Sequence, residues 1–330
     1  MNTRANALVT GGAGFIGSHL VDRLLESGFN VRVLDDLSNG QVRNIEQHIG
    51  KKNFQLSKGS VNNPDVLGSA MRGVDIVFHL AAIVNVAKSL ANPRLVNRVN
   101  VGGTVAVLEE ARRSDTKSVV FASSAAVYGD QSKPPLTEDS LPAPLSPYGS
   151  TKVAGETYCN SFFRSYGLRT ASLRYFNVYG SRCSTGEYSG VIMRFADNVF
   201  NKRPLTVYGD GGQSRDFVNV QDVIEATMLA AESKGAGGEA FNVGTGASTT
   251  VLELARTFLR FTVSNERGII HLDKRKGDIR KSWADVGKAR RILGYRPKVA
   301  LDRGLKSFLS WYSSEYAADL YFDKRTRKCR

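Results

Sequence analysis

The chain has 330 residues, 42% of them hydrophobic and 23% charged, a globular composition with enough length for two domains or one extended α/β unit. No run of about 18 apolar residues occurs, and the N-terminal Met-Asn-Thr-Arg-Ala-Asn leads into a strand pattern rather than a signal-peptide apolar region. No membrane span is therefore expected, and the expected compartment is the cytoplasm. Cys159, Cys183 and Cys329 are too scattered for a disulfide framework, and with four dispersed histidines they leave no metal-ligand spacing. The formal charge of +14, five cations of which lie in residues 324–330, reads as a solvated basic surface with a frayed tail. No aromatic-interleaved basic stripe argues for nucleic acid.

Residues 5–10 form an apolar run expected to be a strand, and Gly11-Gly12-Ala13-Gly14-Phe15-Ile16-Gly17 follows at once. Leu20, Val21, Leu24 and Leu25 recur at a helical period over residues 18–27, and Gly28 supplies the stop. Residues 31–34 read as a second strand that ends at Asp35. The chemistry of a dinucleotide needs each of these parts. Glycines let the backbone approach a pyrophosphate, whose charge is stabilised at the helix N-terminus. An acid about 20 residues on accepts from the adenosine ribose hydroxyls. Asp35 would also repel a 2′-phosphate, so NAD is favoured over NADP. A strand at 74–80, a helix at 101–112 and a strand at 118–122 continue the alternation, which predicts a parallel, doubly wound α/β sheet. Ligands sit at the carboxyl ends of such strands, which places His79-Leu80-Ala81-Ala82 and Ser123-Ser124 at the edge of the cofactor.

In Ser146-Pro147-Tyr148-Gly149-Ser150-Thr151-Lys152, proline suits a helix start, and Tyr148 and Lys152 then share one helical face. A phenol titrates near 10, so a catalytic tyrosine needs help. An adjacent ammonium and a cationic nicotinamide would both stabilise the phenolate and lower its pKa. Ser124, at the preceding strand end, can share a substrate hydroxyl with Tyr148. Further along, residues 220–232 are expected to form a helix and 240–243 a short strand.

The glycine turn, Ser123-Ser124 and Tyr148–Lys152 together resemble the extended short-chain dehydrogenase/reductase family, and within it the nucleotide-sugar epimerases and dehydratases, over nearly the full chain. Supporting motifs are His79-Leu80-Ala81-Ala82, Asn100 with Gly103-Thr104, Leu173-Arg174-Tyr175-Phe176-Asn177-Val178-Tyr179-Gly180, and the run from Tyr208 to Phe217. The resemblance implies a Rossmann-type sheet with a smaller C-terminal α/β substrate-binding domain. The cofactor domain would span 1–175, rejoined by about 218–246, and the substrate portion would take 176–217 and 247–330. It implies bound NAD and a homodimer through two helices. The implied cofactor contacts begin at Gly11, Gly14, Phe15, Ile16 and Gly17, and continue at Asp35, Asp36, Ser38, Asn39 and Gly40. They extend through Ser60, Val61, Leu80, Ala81, Ala82 and Asn100 to Tyr148, Lys152, Phe176 and Val178. One departure is Gly59-Ser60-Val61, where the family usually has Gly-Asp-Ile with the Asp on the adenine.

The family shares one opening step, in which tyrosine takes a hydroxyl proton, NAD takes the hydride of sugar C4, and a 4-keto sugar results. Dehydrating relatives carry Asp and Glu directly after the catalytic Ser or Thr, and decarboxylating relatives keep a Glu at the second of those positions. Here the two positions are Ala125 and Ala126, and a methyl group transfers no proton. The expected reaction is therefore C4 epimerisation. By motif match, Arg215 and Arg275 would clamp a UDP diphosphate, an anion suited to the arginine fork. Asp278 would accept from the uridine ribose, Tyr208 would stack on uracil, Val191 would offer backbone contacts, and Asn177 would touch phosphate or sugar. Ser282 falls where UDP-hexose epimerases carry a gate beside the C2 substituent. A small residue there implies acceptance of UDP-N-acetylglucosamine along with, or ahead of, UDP-glucose. Two alternatives stay open: a UDP-glucuronate 4-epimerase, and a catalytically silent member of the fold that senses NAD or binds RNA.

Overall fold

The computed structural model describes residues 5–131, 133–183, 190–261, 268–274 and 277–326, with side chains as far as 315. The first half alternates strand and helix as expected. β1 (Asn6–Thr10), α1 (Phe15–Glu26), β2 (Asn30–Asp35), β3 (Phe54–Lys58), α2 (Pro64–Met71) and β4 (Ile76–His79) come first. Two short helices, α3 (Val86–Ala91) and α4 (Pro93–Asn97), then lead to α5 (Gly103–Arg113), β5 (Ser118–Ser124), α6 (Pro147–Tyr166) and β6 (Arg169–Tyr175). The expected helix at 101–112 begins two residues later because residues 98–102 form a wider turn. The expected strand at 74–80 is shorter at both ends.

The second half contributes β7 (Asn177–Tyr179), α7 (Val191–Phe200), β8 (Leu205–Tyr208), β9 (Ser214–Arg215), β10 (Phe217–Asn219) and α8 (Val220–Glu232). It continues with β11 (Glu239–Val243), β12 (Thr249–Thr250), α9 (Val251–Phe261), β13 (Ile269–Leu272), β14 (Lys281–Ser282), α10 (Gly287–Leu293) and α11 (Leu301–Thr326). A seven-stranded sheet runs β11-β6-β5-β4-β1-β2-β3, and every pair in it is parallel.

Strand side chains alternate between the two faces, so continuous apolar runs feed two cores. On β1, Ala7 and Val9 join the core under α1, α8 and α10, whereas Leu8 joins the core under α2, α5 and α6. The order of connection reverses between β1 and β4, which opens a crevice at the carboxyl ends of the strands. A third cluster lies outside the sheet, where Phe195 of α7, Val207 of β8, Phe258 of α9 and Phe308 of α11 bury one another. Those four elements escaped the sequence reading.

Candidate active site

A cavity of about 640 Å³ opens along the carboxyl ends of β1, β2, β4, β5 and β6. Every residue expected to touch the cofactor lines it, except Asn100. The glycine turn shapes one wall. Gly11 sits at φ +72°, and a Cβ there would stand 2.8 Å from the backbone nitrogen of Ala81. Only glycine therefore lets the turn approach the loop after β4 so closely. At Gly17 a Cβ would collide with the Gly11 carbonyl and stand 2.8 Å from Gly12 Cα. Gly14 caps α1 without any side-chain hydrogen bond, and no acidic residue occupies the first turn of that helix. Free N–H groups at a helix start, lined with glycine and clear of carboxylates, fit a pyrophosphate.

Beyond the turn, Asp35 is 6% exposed, with Oδ2 accepting from Ala13 N and Oδ1 from Leu37 N, each at 2.9 Å. Burial pushes this carboxyl above its ordinary range, against those two bonds. Asp36 Oδ1 accepts from the N–H and the hydroxyl of Ser38 at 2.9 and 2.6 Å. Both carboxylates thus organise their own loop while lining the end of the cavity where a ribose would lie. Ser60 Oγ accepts from Asn62 N at 3.2 Å. Asn100 is placed differently from the other expected contacts. Its side chain accepts from Ile83 N at 2.8 Å and donates to Ile83 O and Thr151 Oγ1, each at 3.0 Å, so it braces the cavity wall against α6. His79 is likewise committed, between Thr10 Oγ1 at 2.7 Å and Thr104 Oγ1 at 3.1 Å, and burial drives it down to about 3, a neutral ring.

At the far end of the cavity stand Ser124, Tyr148 and Lys152. Ser146 caps α6 by accepting from Gly149 N, Pro147 takes the first turn, and Tyr148 and Lys152 then fall on one face, 8% and 3% exposed. Lys152 Nζ donates to Ala122 O at 2.7 Å and lies 4.8 Å from the centre of the Phe121 ring. Burial lowers this amine to about 8. The expected lowering of the Tyr148 phenol does not occur in the protein alone: burial raises it, and the hydrogen bond with Ser124 opposes that only in part. Ser124 also accepts from Ala126 N at 3.2 Å, which folds Ala125 and Ala126 into a tight turn beside the pair.

The expected substrate residues are less concentrated. Asn177 is exposed and lines the cavity, whereas Val191 opens α7. The Arg194 guanidinium lies 6.0 Å above the Tyr208 ring. Arg215 Nη2 donates to Asp278 Oδ1 at 2.6 Å and Nη1 to Ile279 O at 2.6 Å, so the two charged candidates hold each other. Ser282 is buried and pairs in register with Arg215 across β14 and β9. Arg275 lies outside the described residues. The sequence reading missed Ile83, Val84, Lys88, Leu95 and Val99, which also line the cavity. Their signal was the pair of helix caps Asn85 and Asn92, the second followed by Pro93.

Comparison with known proteins agrees with this geometry. Residues 7–244 match the NAD dependent epimerase/dehydratase family. The chain belongs to that family. UDP-glucose 4-epimerase of Mycolicibacterium smegmatis is 38% identical over 310 residues, which cover 93% of this chain and 98% of the relative. Among solved structures, UDP-glucose 4-epimerase of Thermotoga maritima with UDP-glucose superposes with a TM-score of 0.88 at 37% identity, covering 94% of this chain and 99% of the other. UDP-N-acetylglucosamine 4-epimerase of Methanobrevibacter ruminantium, in complex with UDP-N-acetylmuramic acid, gives 0.90 at 35%, covering 95% and 99%. The chain is an NAD-dependent enzyme with the fold of the UDP-sugar 4-epimerases it resembles. Among the described residues, no helix is long and apolar enough to cross a membrane.

Proposed function

We propose that the enzyme interconverts UDP-hexoses at C4, with UDP-N-acetylglucosamine/UDP-N-acetylgalactosamine and UDP-glucose/UDP-galactose as its substrates. The observation that carries the reading is the turn after Ser124. Ala125 and Ala126 occupy it, and neither bears a group able to move a proton at C5 or C6. Dehydration and decarboxylation need such a group; return of the hydride does not.

In this reading Ser124 and Tyr148 hold the C4 hydroxyl between them, and the phenolate oxygen of Tyr148 takes its proton. NAD, when bound, supplies the site that accepts the C4 hydride and returns it to the other face of the turned keto sugar. Lys152 contributes a cation whose ammonium is anchored on Ala122 O and lies 5.9 Å from the centre of the Tyr148 ring. Because burial alone raises the phenol, the proton leaves Tyr148 only when positive charge is gathered around it. That couples the base to the loaded state of the site. Asp35 and the free N–H groups of α1 would hold the adenosine ribose and pyrophosphate.

The nucleotide sugar is assigned to 176–217 and 247–330, whose third apolar core supports a separate substrate portion. Arg215 would exchange part of its hold on Asp278 for the diphosphate, and Asp278 would then accept from the ribose. Tyr208 would face uracil beside Arg194. Ser282, small and paired in register with Arg215, would leave room for an N-acetyl group.

The test is incubation of the purified protein with UDP-glucose, UDP-N-acetylglucosamine and UDP-glucuronate, followed by NMR of the sugars. C4 epimers of the first two are expected, whereas conversion of the glucuronate alone would reassign the substrate. Ser282→Tyr is expected to abolish turnover of the N-acetylated sugar and spare that of UDP-glucose.

A further inference from the structure

Beneath the catalytic pair lies a buried ion pair that none of the assignments above uses. Tyr148, Lys152 and Glu156 are spaced four apart on α6, so they follow one another along a single face of the helix. The Glu156 and Arg174 side chains are 10% and 6% exposed, and their pairing is forked, with Arg174 Nε on Oε1 at 3.0 Å and Nη2 on Oε2 at 2.7 Å. The Ser123 hydroxyl donates to the same Oε1. Arg174 Nη1 reaches the Tyr128 hydroxyl at 2.8 Å, and that hydroxyl donates to Asn242 Oδ1 at 2.6 Å. Glu156 thereby joins α6 to β5 and β6 and, through Tyr128, to β11.

The surroundings of Lys152 make this carboxylate matter. Tyr148 and Cys159 face Lys152 from α6, His79 from β4, and the Phe121 ring and Ala122 carbonyl from β5. Burial places His79 at about 3 and the Cys159 thiol at about 12, and raises the Tyr148 phenol. None of these three carries charge where Lys152 titrates, at about 8. Glu156 is the anion of the group, among the described residues. An ammonium this deeply buried with no anion near it would release its proton, and a neutral amine does nothing for a phenolate.

We infer that Glu156 is the positioning residue of the catalytic pair: clamped by Arg174 and Ser123, its carboxylate keeps the Lys152 ammonium charged and locks the Ser124 end of β5 against α6. The inference rests on the Tyr148–Lys152 assignment, but its first readout needs neither substrate nor cofactor. In protein labelled with ε-13C-lysine, the Lys152 resonance is identified by its loss in Lys152→Met and followed by NMR against pH. In Glu156→Gln the midpoint is expected up to about one pH unit below wild type, the lower end of what a neighbouring opposite charge supplies. Glu156→Asp is expected to restore most of it, and the alkaline limb of kcat is expected to move with the midpoint. Glu156→Gln leaves Arg174 buried without its partner, which destabilises folds. Glu156→Gln/Arg174→Met, which removes both charges, is therefore titrated in parallel, with a smaller fall in the same direction expected because a cation leaves with the anion. An unchanged midpoint in either folded variant overturns the inference. A lowered midpoint with an unmoved alkaline limb overturns the catalytic part of it.

Discussion

Asp216 offers the sharpest test of how the second half of the chain is held to the sheet. Its carboxylate is fully buried, with Oδ1 accepting from the N–H and hydroxyl of Thr245 at 2.8 and 2.6 Å, and Oδ2 from Gly246 N and Ala284 N at 2.9 and 3.2 Å. Its backbone carbonyl accepts from Asn177 N at 2.9 Å. One residue thus gathers the segments that carry Asn177, Arg215 and Ser282. Asp216→Asn keeps the shape but replaces one acceptor oxygen with an NH2. Turned toward Gly246 and Ala284, that group strands two donors. Turned toward Thr245 it strands one, because the hydroxyl can rotate and accept instead.

The cheaper orientation still leaves one buried N–H unpaired, at roughly 1–3 kcal/mol, and weakens the remaining bonds from charged to neutral. Burial raises the Asp216 carboxyl, so loss of the charge returns part of its desolvation cost. The net expectation is about 2–3 kcal/mol, a fall of roughly 3–4 °C in the thermal midpoint of a chain this long. Calorimetry reads the midpoint, and titration with UDP and with NAD reads the site. UDP affinity is expected to fall severalfold while NAD affinity is unchanged. A midpoint within about 1 °C of wild type would refute the reasoning.

Other outcomes follow from the same geometry. Gly17→Ala is expected to abolish NAD binding by calorimetry, because its methyl meets rigid backbone; Gly28→Ala, with φ +85° but open space, is expected to cost stability only. Tyr148→Phe is expected to lower kcat by roughly 10²–10⁴ while NAD stays bound, since the phenyl ring keeps the packing and loses only the proton acceptor. Lys152 is lowered to about 8 from 10.5, so between those values the unfolded chain holds a proton that the folded chain has released, and stability rises with pH through that window. Lys152→Met is expected to be inactive yet to unfold at a higher temperature than wild type below about pH 8. That advantage should shrink as the pH rises toward 10.5.

The parallel sheet and much of the wall of the cavity at its carboxyl edge were legible in the residues. Apolar runs of strand length, glycine at 11, 14 and 17, an acid at 35 and a tyrosine four residues before a lysine are local patterns, and local sterics and periodicity produce them. The reaction class was legible too, because Ala125 and Ala126 exclude chemistry by lacking the atoms for it. The tertiary structure decided what depends on residues far apart in the chain. Asn100 braces Ile83 and Thr151 across 17 and 51 positions. In the protein alone burial raises the Tyr148 phenol, because burial is a property of the packed interior. Arg215 and Asp278 close on each other over 63 positions, and Glu156 meets Ser123 and Arg174 only where α6 lies across β5 and β6. Sequence alone determines which groups are available and what their backbone will do locally. Folding sets their surroundings, and for buried charges the surroundings govern the chemistry.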